Sequence, residues 1–491
     1  MSPKHPSDTD GPAASGLSSS APRYVTDVAY SPTFTPFVAP AWLDLTALVS
    51  AVAPPDRHAG FAWCELGCGR GVTAAILAAT HPRGTFHGVD MMPGHIADAR
   101  RLAERAGIAN LTLHACDFAA AAALDLPRFD YIVAHGVYSW IDPQARESLR
   151  HFIDRHLAPG GLVYISYNAM PGWAADLPFQ YLVRALAQTA PGDSIAKFTA
   201  AEAALRRLGA AGARALKNSP IFAAELATQR KHLSPAYFAH EYLAPAWQPL
   251  YVTEMRAEVA TIGLRAVGSA TLQDNFDSFV LRAAQRSALG EIADPDLREL
   301  ARDCVVLTRF RRDAFSRDAA PLRDRERRRR LLTQCFALTR PAASVAYAMP
   351  TPAGTVRFDN DVARSIVAAL ADGPRRLGEV AAPASVLLAS ALALASAEMI
   401  RPVEPGTCPV FALNAALDEL DTAAAPLPYR ALPCGTALQL DAALRGHLRK
   451  GRKLPRRLAA WPDFLARAAG VEGRKQNAKK PESPPRNAGD F

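Results

Sequence analysis

The 491-residue sequence has few cysteines and no long apolar run. Its seven cysteines stand apart, without a C-x-x-C pair or a His/Cys cluster, which indicates reduced thiols in a cytoplasmic protein and gives no metal site. No stretch of about 18 uninterrupted apolar residues is present, so we predict no membrane span. Residues 1–23 lack the charged-then-apolar pattern of a signal peptide, and their Ser/Pro/Ala-rich composition predicts a disordered tail.

The net positive charge comes from the C-terminus. The net charge is +9, and residues 445–491 alone hold 13 Lys/Arg against 4 Asp/Glu. The rest of the chain is therefore near neutral, and residues 471–491 are predicted to be a disordered basic tail. A second basic run, Arg327–Arg330, lies in a helix-like stretch. Neither run contains the interleaved aromatic residues of a base-stacking surface, so we expect no nucleic-acid partner.

The chain does contain a glycine-rich loop directly after a short apolar run. Three glycines follow that run at alternate positions: Gly67, Gly69 and Gly71. Such glycines let the backbone turn tightly and let a ligand approach the main chain. The dinucleotide pattern G-x-G-x-x-G is not met, because position 72 is Val. The E-x-G-x-G-x-G order that begins at Glu65 instead resembles motif I of the class I S-adenosylmethionine-dependent methyltransferases.

Two carboxylates end the next two predicted strands. Thr85–Asp90 reads as strand 2, whose terminal carboxylate can accept both ribose hydroxyls of a nucleoside cofactor, and Leu111–Asp117 reads as strand 3. The resemblance implies that Asp117 meets the adenine amino group. Either Asp alone could be a helix cap, but three signals in register favour a site for S-adenosyl-L-methionine. The predicted cofactor-binding residues are Glu65, Gly67, Gly69, Gly71, Asp90, Met91, Asp117, Phe118 and His135.

Polar and aromatic residues lie at the ends of predicted strand 4 (Phe129–Gly136) and predicted strand 5 (Gly160–Asn168) and just past them. Alternating short strands and helices predict a parallel sheet covered on both faces, in which ligands bind beyond the carboxyl ends of the strands. These segments should therefore border the reactive methyl group. The catalytic candidates are His135, Tyr138, Tyr167 and Asn168, and Trp140 and Trp173 are candidates for the substrate pocket.

Methyl transfer requires an oriented, neutral nucleophile and the exclusion of water. His135 or a tyrosine hydroxyl could help to deprotonate a lysine, and aromatic faces could hold a sulfonium or an amine. Simpler roles stay open for each candidate. His135 could only hydrogen-bond backbone, and Tyr138 and Trp140 could pack the core. Asn168 cannot act as a base and could accept a hydrogen bond or cap a turn.

Four further segments resemble one bacterial methyltransferase family, which carries a methyltransferase regulatory domain and is related to the bacterial protein-lysine methyltransferases. The segments are His135–Trp140, Ser166–Trp173, His240–Leu243 and Arg309–Asp313. The likeness covers the chain from Tyr24 to Gly470 and implies that Tyr30, a further substrate-pocket candidate, and Phe37 fold over the cofactor. Relatives often have Thr-His-Pro where this chain has Val38–Pro40, so any role of that histidine is absent here.

The predicted fold is α/β: a Rossmann-like class I methyltransferase sheet with a helical insertion and a C-terminal winged-helix-like module. The methyltransferase domain is predicted at 24–285, with the insertion at 174–249, and Leu264–Ser269 and Asp277–Leu281 as strands 6 and 7. A separate α/β module in place of the insertion is the alternative. A helical, Arg-rich middle or regulatory region is predicted at 286–345, and the winged-helix-like domain at 346–470.

The candidate recognition helix of that last module, Ser385–Leu394, has no Arg, Lys, Asn or Gln to read base edges. It therefore favours protein docking or homodimer formation over DNA binding. The sequence as a whole predicts S-adenosylmethionine-dependent methyl transfer to a protein side-chain nitrogen, that of lysine. The alternatives are a small-molecule N- or O-methyltransferase and a non-catalytic S-adenosylmethionine-binding regulator.

Overall fold

The structure is a computed structural model. It describes residues 24–28, 30–222, 235–318, 320–404, 408–422 and 426–468. The predicted tails, 1–23 and 471–491, lie outside the described residues. Within these ranges, every helix is too short or too polar to cross a bilayer.

A seven-stranded sheet organises the molecule. Its strands are β1 (Phe61–Leu66), β2 (Gly84–Asp90), β3 (Leu111–Ala115), β4 (Phe129–Ala134), β5 (Leu157–Asn168), β6 (Arg265–Ser269) and β7 (Phe310–Ser316). Their spatial order is β3-β2-β1-β4-β5-β7-β6, and β7 runs antiparallel to both of its neighbours. The order reverses between β1 and β4, where a doubly wound sheet binds its ligand. The predicted Rossmann-like sheet is confirmed.

Helix α1 (Pro40–Val49) precedes the sheet, and the next four helices follow β1 to β4 and begin at the carboxyl edge of the sheet. They are α2 (Val72–Thr80), α3 (Pro93–Ala106), α4 (Phe118–Ala123) and α5 (Pro143–His156). Proline opens α3 and α5, where its missing N–H costs no helical hydrogen bond. Asp117 and Asp142 cap α4 and α5 by accepting hydrogen bonds from backbone N–H groups of the first turn. These caps fix where the chain leaves each strand.

The segment between β5 and β6 is helical where it is described. It contains α6 (Leu177–Gln188), α7 (Ser194–Ala210), α8 (Arg214–Lys217) and α9 (Pro235–Leu243), and α10 (Val252–Ala260) follows. Buried aromatic rings join α6, α7 and α9 into one apolar cluster, which also contains Trp140 and Trp173 from the loops after β4 and β5. The helices predicted at 174–249 thus pack against the carboxyl edge of the sheet.

The prediction of strand 7 was wrong. The helices after β6 are α11 (Asp277–Val280), α12 (Ala283–Gly290) and α13 (Pro295–Val306), so the predicted strand at 277–281 is largely α11. The seventh strand is β7, and the predicted domain end at 285 cuts through the sheet. Arg311 and Asp313 make β7 look too polar to be a buried strand, but they pair with each other at 2.9 Å and are both buried.

The C-terminal part combines short strands with helices. It contains α14 (Asp324–Thr333), β8 (Cys335–Leu338), β9 (Ala348–Thr351), β10 (Gly354–Arg357), α15 (Asp361–Leu370), β11 (Arg375–Arg376), α16 (Ala384–Ser396), β12 (Ile400–Val403), α17 (Phe411–Leu420), β13 (Tyr429–Leu432), β14 (Thr436–Gln439), α18 (Ala442–Lys450) and α19 (Trp461–Ala468). Together with β7, β8 corrects the helical prediction for 286–345. Strand β8 lies between β11 and β12, and β9 pairs with β10 as an antiparallel hairpin. The winged-helix-like assignment stays a prediction.

The C-terminal part shares its apolar core with the sheet domain. One continuous cluster of buried residues runs from α1 and α2 into α15, α16 and the hairpin of β13 and β14. The rings of Phe34 and Tyr429 meet edge to face at 6.3 Å across this contact. Glu404 forms an ion pair with Arg57 and lies 3.5 Å from the His81 ring nitrogen.

Candidate functional site

The glycine loop after β1 adopts a left-handed backbone at all three glycines. The φ angles of Gly67, Gly69 and Gly71 are +76°, +52° and +68°. A Cβ atom at Gly67 would lie 2.4 Å from Val137 Cγ2, and one at Gly71 would lie 2.5 Å from Ala99 Cβ. A Cβ atom at Gly69 would meet no atom within 4 Å. Packing therefore requires the outer two glycines, whereas the middle one leaves open space above the loop.

Asp90, at the end of β2, is hydrogen-bonded to this loop. Its Oδ2 accepts a hydrogen bond from the Gly69 backbone N–H at 2.9 Å, and its Oδ1 accepts one from the Met92 N–H at 2.9 Å. The ring Nδ1 of His95 lies 3.2 Å from Oδ1. Carboxylate oxygens have more than one lone pair, so Asp90 can still accept hydrogen bonds from a ligand. Met91 is 54% exposed beside it.

Glu65, the last polar residue of β1, is buried with an unpaired oxygen. No hydrogen-bond partner of its Oε2 is present among the described residues. Burial raises the pKa of Glu65 to about 8, and the nearby charge of Asp90 adds to the effect. A buried polar atom without a partner is rare in folded proteins and indicates a ligand that supplies one.

Asp117 and Phe118 lie at the rim of the site, at the start of α4. Asp117 is exposed, and its Oδ1 accepts a hydrogen bond from the Ala120 N–H at 2.8 Å. The helix-cap role is therefore present in the structure. The adenine contact of Asp117 and the ligand contact of Phe118 stay predictions.

His135 follows β4 and faces two hydroxyl groups of β5. Its Nδ1 lies 2.8 Å from Tyr164 Oη and 3.2 Å from Ser166 Oγ. Burial, with a smaller contribution from the Arg312 charge, lowers the pKa of His135 to about 3. Such a ring does not retain a proton at neutral pH, which argues against the predicted role as a general base.

The structure does not bring the hydroxyls of Tyr138 and Tyr167 to His135. Tyr138 Oη donates a hydrogen bond to Glu258 Oε2 at 2.5 Å, and Tyr167 Oη donates one to Asp313 Oδ2 at 2.8 Å. Both side chains are fully buried, and burial raises the pKa of both phenols. Side chains alternate along a strand, so Tyr167 points to the face opposite Ser166. The core-packing alternative describes Tyr138 better than catalysis does, and the structure places Tyr167 in the core as well.

Asn168 ends β5 with its side-chain amide unpaired. Its backbone N–H donates to Ser139 Oγ at 2.9 Å, and its backbone oxygen accepts from the Leu250 N–H at 2.9 Å. The side chain is buried, and its Nδ2 has no partner among the described residues. Of the residues predicted after strand 5, Asn168 is therefore the one with free hydrogen-bonding capacity at the carboxyl edge.

The aromatic substrate-pocket candidates lie in two places. Trp140 and Trp173 pack against the insertion, and Trp173 Nε1 donates to the Arg309 carbonyl oxygen at 3.0 Å. Tyr30 lies above α3, where its backbone N–H donates to His95 Nε2 at 3.2 Å. Because His95 in turn contacts Asp90, Tyr30 is the candidate that the structure brings to the cofactor side.

The sequence reasoning missed Thr73 and Arg312. Thr73 Oγ1, in the first turn of α2, accepts from the Thr35 N–H at 3.1 Å and donates to the Thr33 oxygen at 3.1 Å, which ties the N-terminal segment over the glycine loop. The Arg312 guanidinium lies over the Phe37 ring at 4.4 Å. Arg312 stands inside the predicted Arg309–Asp313 segment, and its aromatic neighbour Phe310 was the available signal.

Two protein-family models match the chain. One, described as a methyltransferase domain, matches residues 64–163, and the other, described as a predicted methyltransferase regulatory domain, matches residues 234–317. The second match contains both β6 and β7. The segment matched as regulatory therefore supplies the last two strands of the sheet.

Known proteins resemble the chain over most of its length. The uncharacterized protein sll1526 of Synechocystis sp. is 35% identical over 357 residues, which cover 73% of this chain and 70% of that protein. The structure of PKMT2 from Rickettsia typhi in complex with AdoHcy has a TM-score of 0.59 at 21% identity and covers 77% of this chain and 78% of its own. A second PKMT2 structure from that organism has a TM-score of 0.62 at 18% identity, with 84% and 87% covered. At these identities, the likeness to the two PKMT2 structures shows a shared fold.

Proposed function

The chain belongs to the bacterial class I S-adenosylmethionine-dependent methyltransferases that carry a methyltransferase regulatory domain, and from this premise we propose that its methyl acceptor is a lysine side chain of a protein. The enzyme uses S-adenosylmethionine as its cofactor. The acceptor is the proposed part.

The residues at the carboxyl edge fit the cofactor. The open space above Gly69 lets a ligand approach the main chain, and Asp90 has lone pairs left for ribose hydroxyls. The unpaired Oε2 of Glu65 needs a hydrogen-bond donor, which the amino group of the methionine part would supply. When bound, S-adenosylmethionine supplies an electrophilic methyl group on a sulfonium.

The residues beyond β4 and β5 suit a neutral amine. Tyr164 and Ser166 hold the His135 ring, whose low pKa keeps it uncharged at neutral pH. The side-chain oxygen of Asn168 can orient an amine by accepting a hydrogen bond from its N–H, which leaves the amine lone pair free to attack. An amine that enters this edge of the sheet loses hydration, which lowers its pKa and favours the neutral, nucleophilic form. Water accepts the proton before the amine enters.

One observation carries the proposal of a protein acceptor. The likeness to PKMT2 is not limited to the methyltransferase core matched at 64–163, because it extends over 84% of this chain. Accessory regions of that extent favour a macromolecular acceptor over a small metabolite. The proposal also follows the resemblance of the segments near His135 and Asn168 to the protein-lysine methyltransferases.

The test uses the full chain, methyl-labelled S-adenosylmethionine and an extract of its source cells, with Asp90→Ala as the control. Products are separated into protein and small-molecule fractions, and labelled protein is hydrolysed to find methyl-lysine. Labelled methyl-lysine that Asp90→Ala abolishes would support the proposal. Label confined to small molecules would establish the metabolite alternative, and cofactor binding without any label would leave the regulator.

A further inference from the structure

Arg312 presents a fixed guanidinium at the carboxyl edge of the sheet. It is the third residue of β7, and its guanidinium carbon lies 4.4 Å from the ring centre of Phe37 and 5.0 Å from that of Phe310. Its Nη1 donates a hydrogen bond to Thr271 Oγ1 at 3.0 Å. Stacking on two rings and one hydrogen bond orient the group without neutralising its charge.

The partly buried charge of Arg312 has no acidic partner among the described residues. Its Nε is buried without a hydrogen-bond partner. The adjacent Arg311 differs in this respect, because it pairs with Glu299, Asp303 and Asp313. An unpaired charge away from water is costly, so the arrangement favours an anion brought by a ligand. Thr271 occupies Nη1, whereas Nε and Nη2 form no hydrogen bond with the described residues. The fork that these two nitrogens form matches a carboxylate.

The position of Arg312 assigns that anion to the acceptor. Strands β4 and β5 separate β7 from β1 in the sheet, which places β7 about 14 Å from the strand that bears the glycine loop. Phe310 pairs with Asn168, and its ring lies 6.0 Å from that of His135. Arg312 therefore lies on the side of the site away from the glycine loop, where we place the methyl acceptor.

We propose that Arg312 binds a carboxylate of the methyl acceptor and selects acceptors that carry an acidic group near the methylated atom. The inference rests on the proposed function, in which the carboxylate is that of an Asp or Glu close to the target lysine. A small carboxylic acid would present the same group to the same fork.

The first experiment measures binding without catalysis. The full chain saturated with AdoHcy is titrated with sodium malonate, against sodium chloride of equal ionic strength, for wild type, Arg312→Gln and Arg312→Lys. We expect at least about tenfold weaker malonate binding in Arg312→Gln, because a buried charge pair is lost, and an intermediate loss in Arg312→Lys, which retains charge but not the fork. Arg364→Gln removes an arginine stacked on Tyr347 in the C-terminal part and serves as the matched control. Equal malonate affinity in all variants would overturn the inference.

The second experiment assigns the carboxylate to its molecule. AdoHcy affinity is measured for the same variants, and we expect it to change less than about twofold in Arg312→Gln, since about 14 Å separates β7 from β1. A loss as large as the malonate loss would place the carboxylate on the cofactor and overturn the assignment. Thermal unfolding of each variant shows that it is folded.

The third experiment separates this inference from the proposed function. Lysine peptides flanked by Glu or by Gln are offered with labelled S-adenosylmethionine. We expect wild type to prefer the Glu peptides by about tenfold and Arg312→Gln to lose the preference. Equal labelling of both peptide sets by wild type would contradict the inference while supporting lysine methylation. Arg312-dependent malonate binding without any labelled peptide would support the inference with a small carboxylate as the source, and would count against lysine.

Discussion

Gly69 and Gly71 share one backbone conformation but differ in what surrounds them. We expect Gly71→Ala to lower the free energy of unfolding by about 2–3 kcal/mol, because its Cβ would overlap Ala99 in addition to the left-handed strain. Gly69→Ala should cost about 1 kcal/mol for the strain alone, yet weaken AdoHcy binding at least tenfold by filling the open space above the loop. Urea unfolding and calorimetric titration measure the two effects. AdoHcy affinity unchanged in Gly69→Ala would contradict an approach over this residue.

Glu65 makes stability depend on pH. Its pKa rises from about 4.5 to about 8 in the folded chain, so the folded state retains a proton that the unfolded state loses. The contribution of the protonated form is complete below about pH 4.5 and is lost as the pH rises through about 8. Glu65→Gln has no proton to lose. We therefore expect the unfolding free energy of Glu65→Gln, relative to that of wild type, to rise by on the order of 3 kcal/mol between pH 5 and pH 8. Parallel pH profiles in urea unfolding would argue against the raised pKa.

At the scale of elements, Tyr138 joins two helices instead of serving the reaction. Its hydroxyl donates to Glu258 of α10 and accepts from Arg150 of α5 at 2.9 Å. We expect Tyr138→Phe to lower the unfolding free energy by about 1–2 kcal/mol and to leave the methyl-transfer rate within about twofold. Tyr164→Phe is the matched variant, because it removes a hydroxyl that holds His135, and it should slow transfer. Slow transfer in a stable Tyr138→Phe would restore the predicted catalytic role.

Sequence reasoning succeeded where local chemistry determines the structure. Glycines that need a left-handed backbone and carboxylates that end strands can be read from the residues themselves, and these mark the ends of β1 and β2. Sequence reasoning failed for β7, because Arg311 and Asp313 are compatible with burial only when they form an ion pair, and this pairing cannot be read from the sequence. The hydrogen bond of the Tyr138 hydroxyl could not be predicted either, because its partner Glu258 lies 120 residues away in the sequence.

At the scale of the whole molecule, the sheet domain and the C-terminal part should unfold as one unit. The residues predicted as two domains bury their apolar side chains in one cluster, and Glu404 joins them through Arg57 and His81. Although burial opposes ionisation, the His81 ring at 3.5 Å and the Arg57 charge hold the pKa of Glu404 at about 2. We expect a single calorimetric transition, and a loss of about 3 kcal/mol in Glu404→Gln at neutral pH, where one partner of a buried pair is removed. Two separate transitions would contradict the shared core.

The N-terminal segment lies across the site and is fastened to three helices. Thr35 bonds to Thr73 of α2, Tyr30 to His95 of α3, and the Val28 oxygen lies 2.9 Å from His240 of α9. Because these contacts hold the segment beside Asp90 and the first turn of α2, we expect the residence time of the spent cofactor to depend on this segment as well as on the reacting groups. Substitutions far from the transferred methyl group should then change the turnover rate through product release.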